Sequence, residues 1–261
     1  MNFKIGCDPE VFVGDDASPR SIIGKLGGTK ECPMPLPIGD GFCVQEDNVA
    51  LEFNIPASDS KKAFIENVGA ARQFLEKVVK DSYGLHFLHQ SAISFPVTEL
   101  DDPRAHVFGC EPDYNAWSLR RNPRPEADDK CLRSAGGHVH VGYDGLTHRQ
   151  KVEVVRWLDL LLSVPATFMD DGKLRKRLYG KAGACRFKPY GVEYRPLSNF
   201  WIFSPKLCGW VYDNVDRALD AVLKGESISS EKANILAAVN DDNKEVADQL
   251  VRKYNLDVVY A

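Results

Sequence analysis

Four stretches of this sequence place charged or imidazole side chains two residues apart, the spacing that puts both on one face of a β-strand. Asp8 and Glu10 stand in phase, with Ile5, Cys7, Val11 and Val13 on the opposite side. Over residues 42–55, read as one strand, Glu46, Asn48, Glu52 and Asn54 oppose Val49, Leu51, Phe53 and Ile55. His138 and His140 alternate with Val139 and Val141, and Glu193 and Arg195 share a face two residues apart. A merely solvated sheet face would be expected to mix Lys, Ser, Thr and Gln with its acids. Here carboxylates and imidazoles dominate, and so many acids repel unless cations neutralise them. Carboxylates with an occasional imidazole suit a hard divalent cation, Mg²⁺ or Mn²⁺.

A second feature is the basic segment of residues 173–188, which carries Lys173, Arg175, Lys176, Arg177, Lys181, Arg186 and Lys188 with Gly180 and Gly183 among them. It reads as a flexible loop suited to triphosphate oxygens, because arginine offers paired donors. It runs straight into Glu193 and Arg195, which would set phosphate against metal. Residues 14–41, rich in Gly, Pro and Asp, read as a long loop whose later part, with Gly27-Gly28-Thr29-Lys30, is a candidate cover for the reactants.

The elements that must position these groups follow from periodicity. Strands are expected at residues 3–13, 42–55, 85–95, 137–143 and 192–197. A helix from Asp59 or Ser60 to residue 82 would bury Phe64, Val68, Ala71, Leu75 and Val78. A second is expected over 147–168, ended or kinked by Pro165, and the tail of residues 204–261 reads as helical. Strands and helices without regular alternation predict an α+β fold with a largely antiparallel sheet, in one domain over 1–261. Trp117, Trp157, Trp201 and Trp210 read as packing aromatics. With 33 Lys+Arg against 37 Asp+Glu among 261 residues, the net charge of −4 argues against a dedicated nucleic-acid binder. No apolar run is long enough for a membrane span. The first residues lack a secretory signal pattern, and the 7 cysteines form no CxxC pair. Reduced thiols and a cytoplasmic location are therefore expected.

These motifs, in this order, resemble the glutamine synthetase-like carboxylate–amine ligases. The stretch Gln45–Pro56, together with Tyr179-Gly180, Gly183, Arg186 and Tyr190-Gly-Val-Glu-Tyr-Arg195, is most similar to the phage-type amidoligase (COOH.NH2 ligase) branch. The resemblance spans about residues 3–200 and leaves the helical tail unmatched. It implies a curved, mainly antiparallel sheet forming a cup backed by helices, Mg²⁺ and ATP. It also implies amide or peptide bond formation between a small-molecule or peptide carboxylate and an amine, through an acyl phosphate. Carried over by position, Asp8, Glu10, Glu52, His138 and Glu193 resemble metal ligands. Glu46 is the companion of Glu52, with Asp47 its rival. His140 faces phosphate or substrate, Arg186 and Arg195 resemble the arginines on the transferred phosphoryl group, and Arg177 and Lys181 join them on nucleotide. Asp8 departs from the glutamate more usual there. A phage-encoded enzyme working in the host cytoplasm fits this branch. The alternatives are a guanidine kinase-like phosphotransferase, a metal-dependent hydrolase built on His138 and His140, and a nucleotide-binding descendant without catalysis.

Overall fold

A computed structural model describes residues 3–106, 113–123, 128–170 and 172–260, without the side chain of Arg177. The central strand β1 (Lys4–Gly14) follows the expected alternation. The stretch expected as one strand is a hairpin, β2 (Cys43–Asp47) and β3 (Ala50–Asn54). It turns at Asn48, whose left-handed backbone (φ 55°) is tolerated by asparagine better than by most residues. Then come helix α1 (Lys61–Tyr83), strand β4 (Gly137–Gly142) and helix α2 (His148–Leu158). Helices α3 (Val164–Met169) and α4 (Lys173–Leu178) lead to the hairpin β5 (Ala184–Lys188) and β6 (Gly191–Tyr194). The chain ends in α5 (Pro205–Leu223), α6 (Lys232–Asn240) and α7 (Lys244–Tyr254), as the tail pattern predicts.

The six strands lie in one antiparallel sheet in the order β2-β3-β1-β4-β6-β5, with short strands attached around them. This is an α+β fold with a large, open, mainly antiparallel sheet. One face carries Ile5, Cys7, Val11, Val139, Val141, Val192 and Tyr194, all buried in a hydrophobic core with α1, α2 and α5. Helix α1 begins at Ser60, which accepts a hydrogen bond from the Ala63 N–H, and ends at left-handed Gly84. It buries Phe64, Val68, Ala71, Leu75 and Val79, the last in place of the expected Val78. Because this face is covered by helices, the acids and imidazoles are turned to the other.

Three further expectations change. The basic segment is largely regular structure, α4 and β5, where a flexible loop was expected. Pro165 does not end the second helix. A π-turn at Asp159–Ser163 shifts the hydrogen-bond ladder ahead of the proline, which then sits in the first turn of α3. Residues 85–95 form two short strands, His86–Leu88 and Ala92–Ser94, in place of one. No helix among the described residues is long and apolar enough to cross a membrane.

Candidate functional site

The polar face is assembled by register. Asp8 pairs with His138 across β1 and β4, and Glu10 with Glu52 across β1 and β3. His140 pairs with Glu193 across β4 and β6, and Arg186 with Glu193 across β5 and β6. Antiparallel partners project to the same side, so a continuous row of charged groups crosses five strands. Two triads emerge, Asp8–His138–Glu193 and Glu10–Asp47–Glu52, each able to bring ligand atoms within 4.8 Å of one another.

Asp47, not Glu46, completes the second triad. The turn at Asn48 resets the alternation: Gln45 faces Glu52 and Asp47 faces Ala50, while Glu46 pairs with Leu51 and projects from the opposite face. There its carboxylate accepts the backbone N–H groups of Gly24 (2.8 Å), Leu26 (3.0 Å) and Gly27 (2.8 Å). Glu46 thus pins the base of the loop expected to be a cover, and it is not a companion of Glu52.

The two triads differ electrostatically. Burial, then the Asp47 charge, pushes Glu10 up to about 7. Burial and the carboxylates of Asp8, Asp47 and Glu10 push Glu52 well above the usual range. The backbone N–H of Gly136 donates to Glu10 at 2.6 Å, and Asn199 donates to the Glu10 carbonyl at 2.8 Å, so the side chain is held among like charges. Three oxygen-bearing acids in this state match what a hard divalent cation requires, and such a cation would relieve the repulsion.

In the first triad, burial alone would raise Asp8, but His140 and His138 outweigh it and hold the carboxyl well below its ordinary value. Its Oδ1 lies 3.4 Å from His138 Nδ1 and 3.0 Å from His140 Nε2. That oxygen is buried without an aligned hydrogen bond, as expected of an atom able to face a metal. Burial and the neighbouring Arg195 charge lower His138 to about 4, which leaves a neutral imidazole with a lone pair for a ligand. Its ring packs against Gly136, where a Cβ would stand 2.4 Å from Nε2.

Cations crowd the other end. Glu193, 1% exposed, meets Arg186 at 3.2 Å and Lys188 at 3.0 Å. Arg195 also contacts Glu193, and its guanidinium lies 3.3 Å from His138 Nδ1. Burial and Asp8 act to raise Glu193, yet Arg195, His138 and Arg186 bring it down to about 2. Lys188 follows Arg186 on the same face of β5, an alternation visible in Arg-Phe-Lys. Arg175 is buried and donates to the carbonyls of Pro196 (2.8 Å) and Arg195 (3.2 Å), bracing the end of β6. Lys181 is exposed and lines neither cavity of the site. The expected role of Arg177 falls on a side chain outside the described residues.

Two cavities flank the row. A narrow cleft of about 70 Å³ is lined by Glu10, Asp47, Asp113, His138 and Arg195, with apolar Phe12, Val49 and Leu178. A wider one of about 460 Å³ lies beyond His140, lined by Lys4, Gly6, Asn54, Gly142 and Tyr190.

Residues 133–258 match the model of the family described as phage phiEco32-like COOH.NH2 ligase-type 2, and over this stretch the chain is similar to that amidoligase family. The match takes in His138, Arg186, Glu193 and Arg195 and extends through the helical tail, which the motifs alone left unmatched. No curated protein matches the chain.

Proposed function

We propose that the protein is an ATP- and Mg²⁺-dependent carboxylate–amine ligase that forms an amide or peptide bond through an acyl phosphate. The observation that carries the reading is the convergence of two acid-containing triads, one neutral imidazole and a cluster of cations on one sheet face. The whole chain, tail included, acts here as one catalytic unit around a cup-shaped sheet. Divalent ions held by Asp8, His138 and Glu193 and by Glu10, Asp47 and Glu52 would neutralise phosphate charge and orient it for transfer. Mn²⁺ suits the same donors.

Carboxylates are poor electrophiles, and phosphorylation supplies the leaving group. Arg186, Lys188 and Arg195 are placed to bind the oxygens on which charge is spread during transfer. Glu193 keeps the two arginines in position until phosphate competes for them. In this reading the nucleotide enters by the wider cavity past His140. The acid and amine, small molecules or peptide ends, enter by the narrower cleft. The Asp113 carboxylate, which lines that cleft outside both triads, attracts an ammonium group and can take its proton. We place its work in the cytoplasm on the cysteine pattern.

Incubation with MgATP, hydroxylamine and a panel of carboxylic acids tests the proposal. At least one acid is expected to yield a hydroxamate with stoichiometric phosphate release. A protein that binds no MgATP at millimolar concentration and forms no hydroxamate is not such a ligase.

A further inference from the structure

Tyr190 occupies the turn between β5 and β6, and its hydroxyl lies 2.6 Å from His140 Nδ1. The other ring nitrogen of His140 faces Asp8 at 3.0 Å, so the imidazole is held at both ends. The Tyr190 and His140 rings are offset and nearly parallel, 19° apart with centroids separated by 6.1 Å. Both line the wider cavity. Asp8, His140 and Tyr190 therefore form a chain from the first triad to that cavity.

The turn that presents Tyr190 is itself fixed. Its carbonyl accepts the Tyr143 N–H at 3.0 Å, and Lys151 donates to the neighbouring Lys188 carbonyl at 2.6 Å. Gly191 follows with φ +157°, and a Cβ there would stand 1.9 Å from the Val141 carbonyl oxygen. Only glycine lets the chain pass so close to β4, and this brings the tyrosine over His140. Burial and the carboxylates of Glu193 and Asp8 raise the phenol above its ordinary range, so it keeps its proton.

We propose that Tyr190 is a positioning residue that fixes the ring orientation of His140 and so sets how that imidazole addresses a ligand in the wider cavity. A ring held only by Asp8 could rotate about its Cβ–Cγ bond. With the phenol at Nδ1, rotation costs a hydrogen bond as well as the Asp8 contact. The functional side of this inference rests on the ligase reading, but the coupling of the two rings does not.

The test uses the full chain without metal, labelled with ¹⁵N-histidine. Tyr190→Phe removes only the hydroxyl from a side chain that is 43% exposed, so the thermal midpoint is expected to stay unchanged. The His140 Nδ1 resonance should move while the His138 resonances stay in place. His140 nitrogens identical in wild type and Tyr190→Phe would overturn the proposal, and Tyr190→Leu provides a second variant should the first not fold. In parallel, Tyr190→Phe should weaken MgATP binding about three- to tenfold, the usual worth of one hydrogen bond, with Mn²⁺ affinity unaltered. Equal MgATP affinity in both proteins would overturn the link to the cavity. A wild type that binds no MgATP would refute the ligase reading, leaving the ring coupling to be decided by the spectra.

Discussion

Glu52→Gln is the substitution that separates a cation site from a chance cluster of acids. Two full charges no more than 4.8 Å apart repel by at least about 3 kcal/mol at an effective dielectric of ~20. Without metal, burial and the neighbouring carboxylates push Glu52 well above the usual range and so favour its neutral form. The neutral amide should therefore leave the metal-free protein at least as stable as wild type. With Mg²⁺ at 100 times its dissociation constant, wild type should gain ~2.7 kcal/mol. Divided by an unfolding entropy of ~2.1 cal/mol/K per residue over 261 residues, this is a rise of about 5 °C in the thermal midpoint. Glu52→Gln should lose this site's share of the rise, while the intact Asp8–His138–Glu193 triad keeps its own. Differential scanning fluorimetry with MgCl₂ and MnCl₂, against KCl at equal ionic strength, reads the difference. Glu46→Gln is the control: it weakens three backbone hydrogen bonds to a carboxylate and lowers stability, but lies on the other face and should keep the full Mg²⁺ response. A Glu52→Gln protein that responds to Mg²⁺ as wild type does, or a wild type that responds equally to KCl, would refute the assignment.

Two further outcomes are expected. Asp159 is fully buried, bound by Trp117 Nε1 at 2.6 Å and the Tyr194 hydroxyl at 2.9 Å, and burial pushes it up to about 7. Between the ordinary carboxylate range near 4 and that value the folded state holds a proton the unfolded state has released. Its contribution to stability is thus full below about pH 4 and is lost as pH rises through about 7, by up to roughly 4 kcal/mol. Urea unfolding from pH 4.5 to 8 should show this decline in wild type relative to Asp159→Asn; a pH-independent difference between the two would count against it. For Arg195→Lys, an ammonium cannot serve Glu193, His138 and Asp113 at once as a guanidinium does, so ATP-dependent turnover should fall about 100-fold. Near-wild-type phosphate release would show that the guanidinium geometry is unimportant.

Much of the fold was legible because its elements are amphipathic at their own period. Ser60 and Thr147 announced two helix starts, and the tail is helical as its sequence predicts. The segment of residues 173–188 was misread because lysine and arginine density looks alike in a loop, a helix or a strand. Arg175, expected with the rest of its segment on triphosphate oxygens, instead donates to the carbonyls of Arg195 and Pro196, a use of arginine that no local pattern signals. The contact of Tyr190, known from the sequence only as a motif residue, and that of Asp113 were hidden for the same reason, since their partners lie 50 and 82 positions away along the chain.

Local sequence alone determined which residues could share a face with Asp8, His138 and Glu193, because a strand alternates at a fixed period of two whatever surrounds it. It could not decide between Glu46 and Asp47, because one left-handed residue at Asn48 folds the segment back and inverts the parity of everything before it. Only the packed sheet sets the register that brings β1, β3, β4, β5 and β6 together, and only that register turns isolated acids and imidazoles into two triads flanked by cavities. The charge state of each group follows from those neighbours and from burial, and neither is a property of the residue itself.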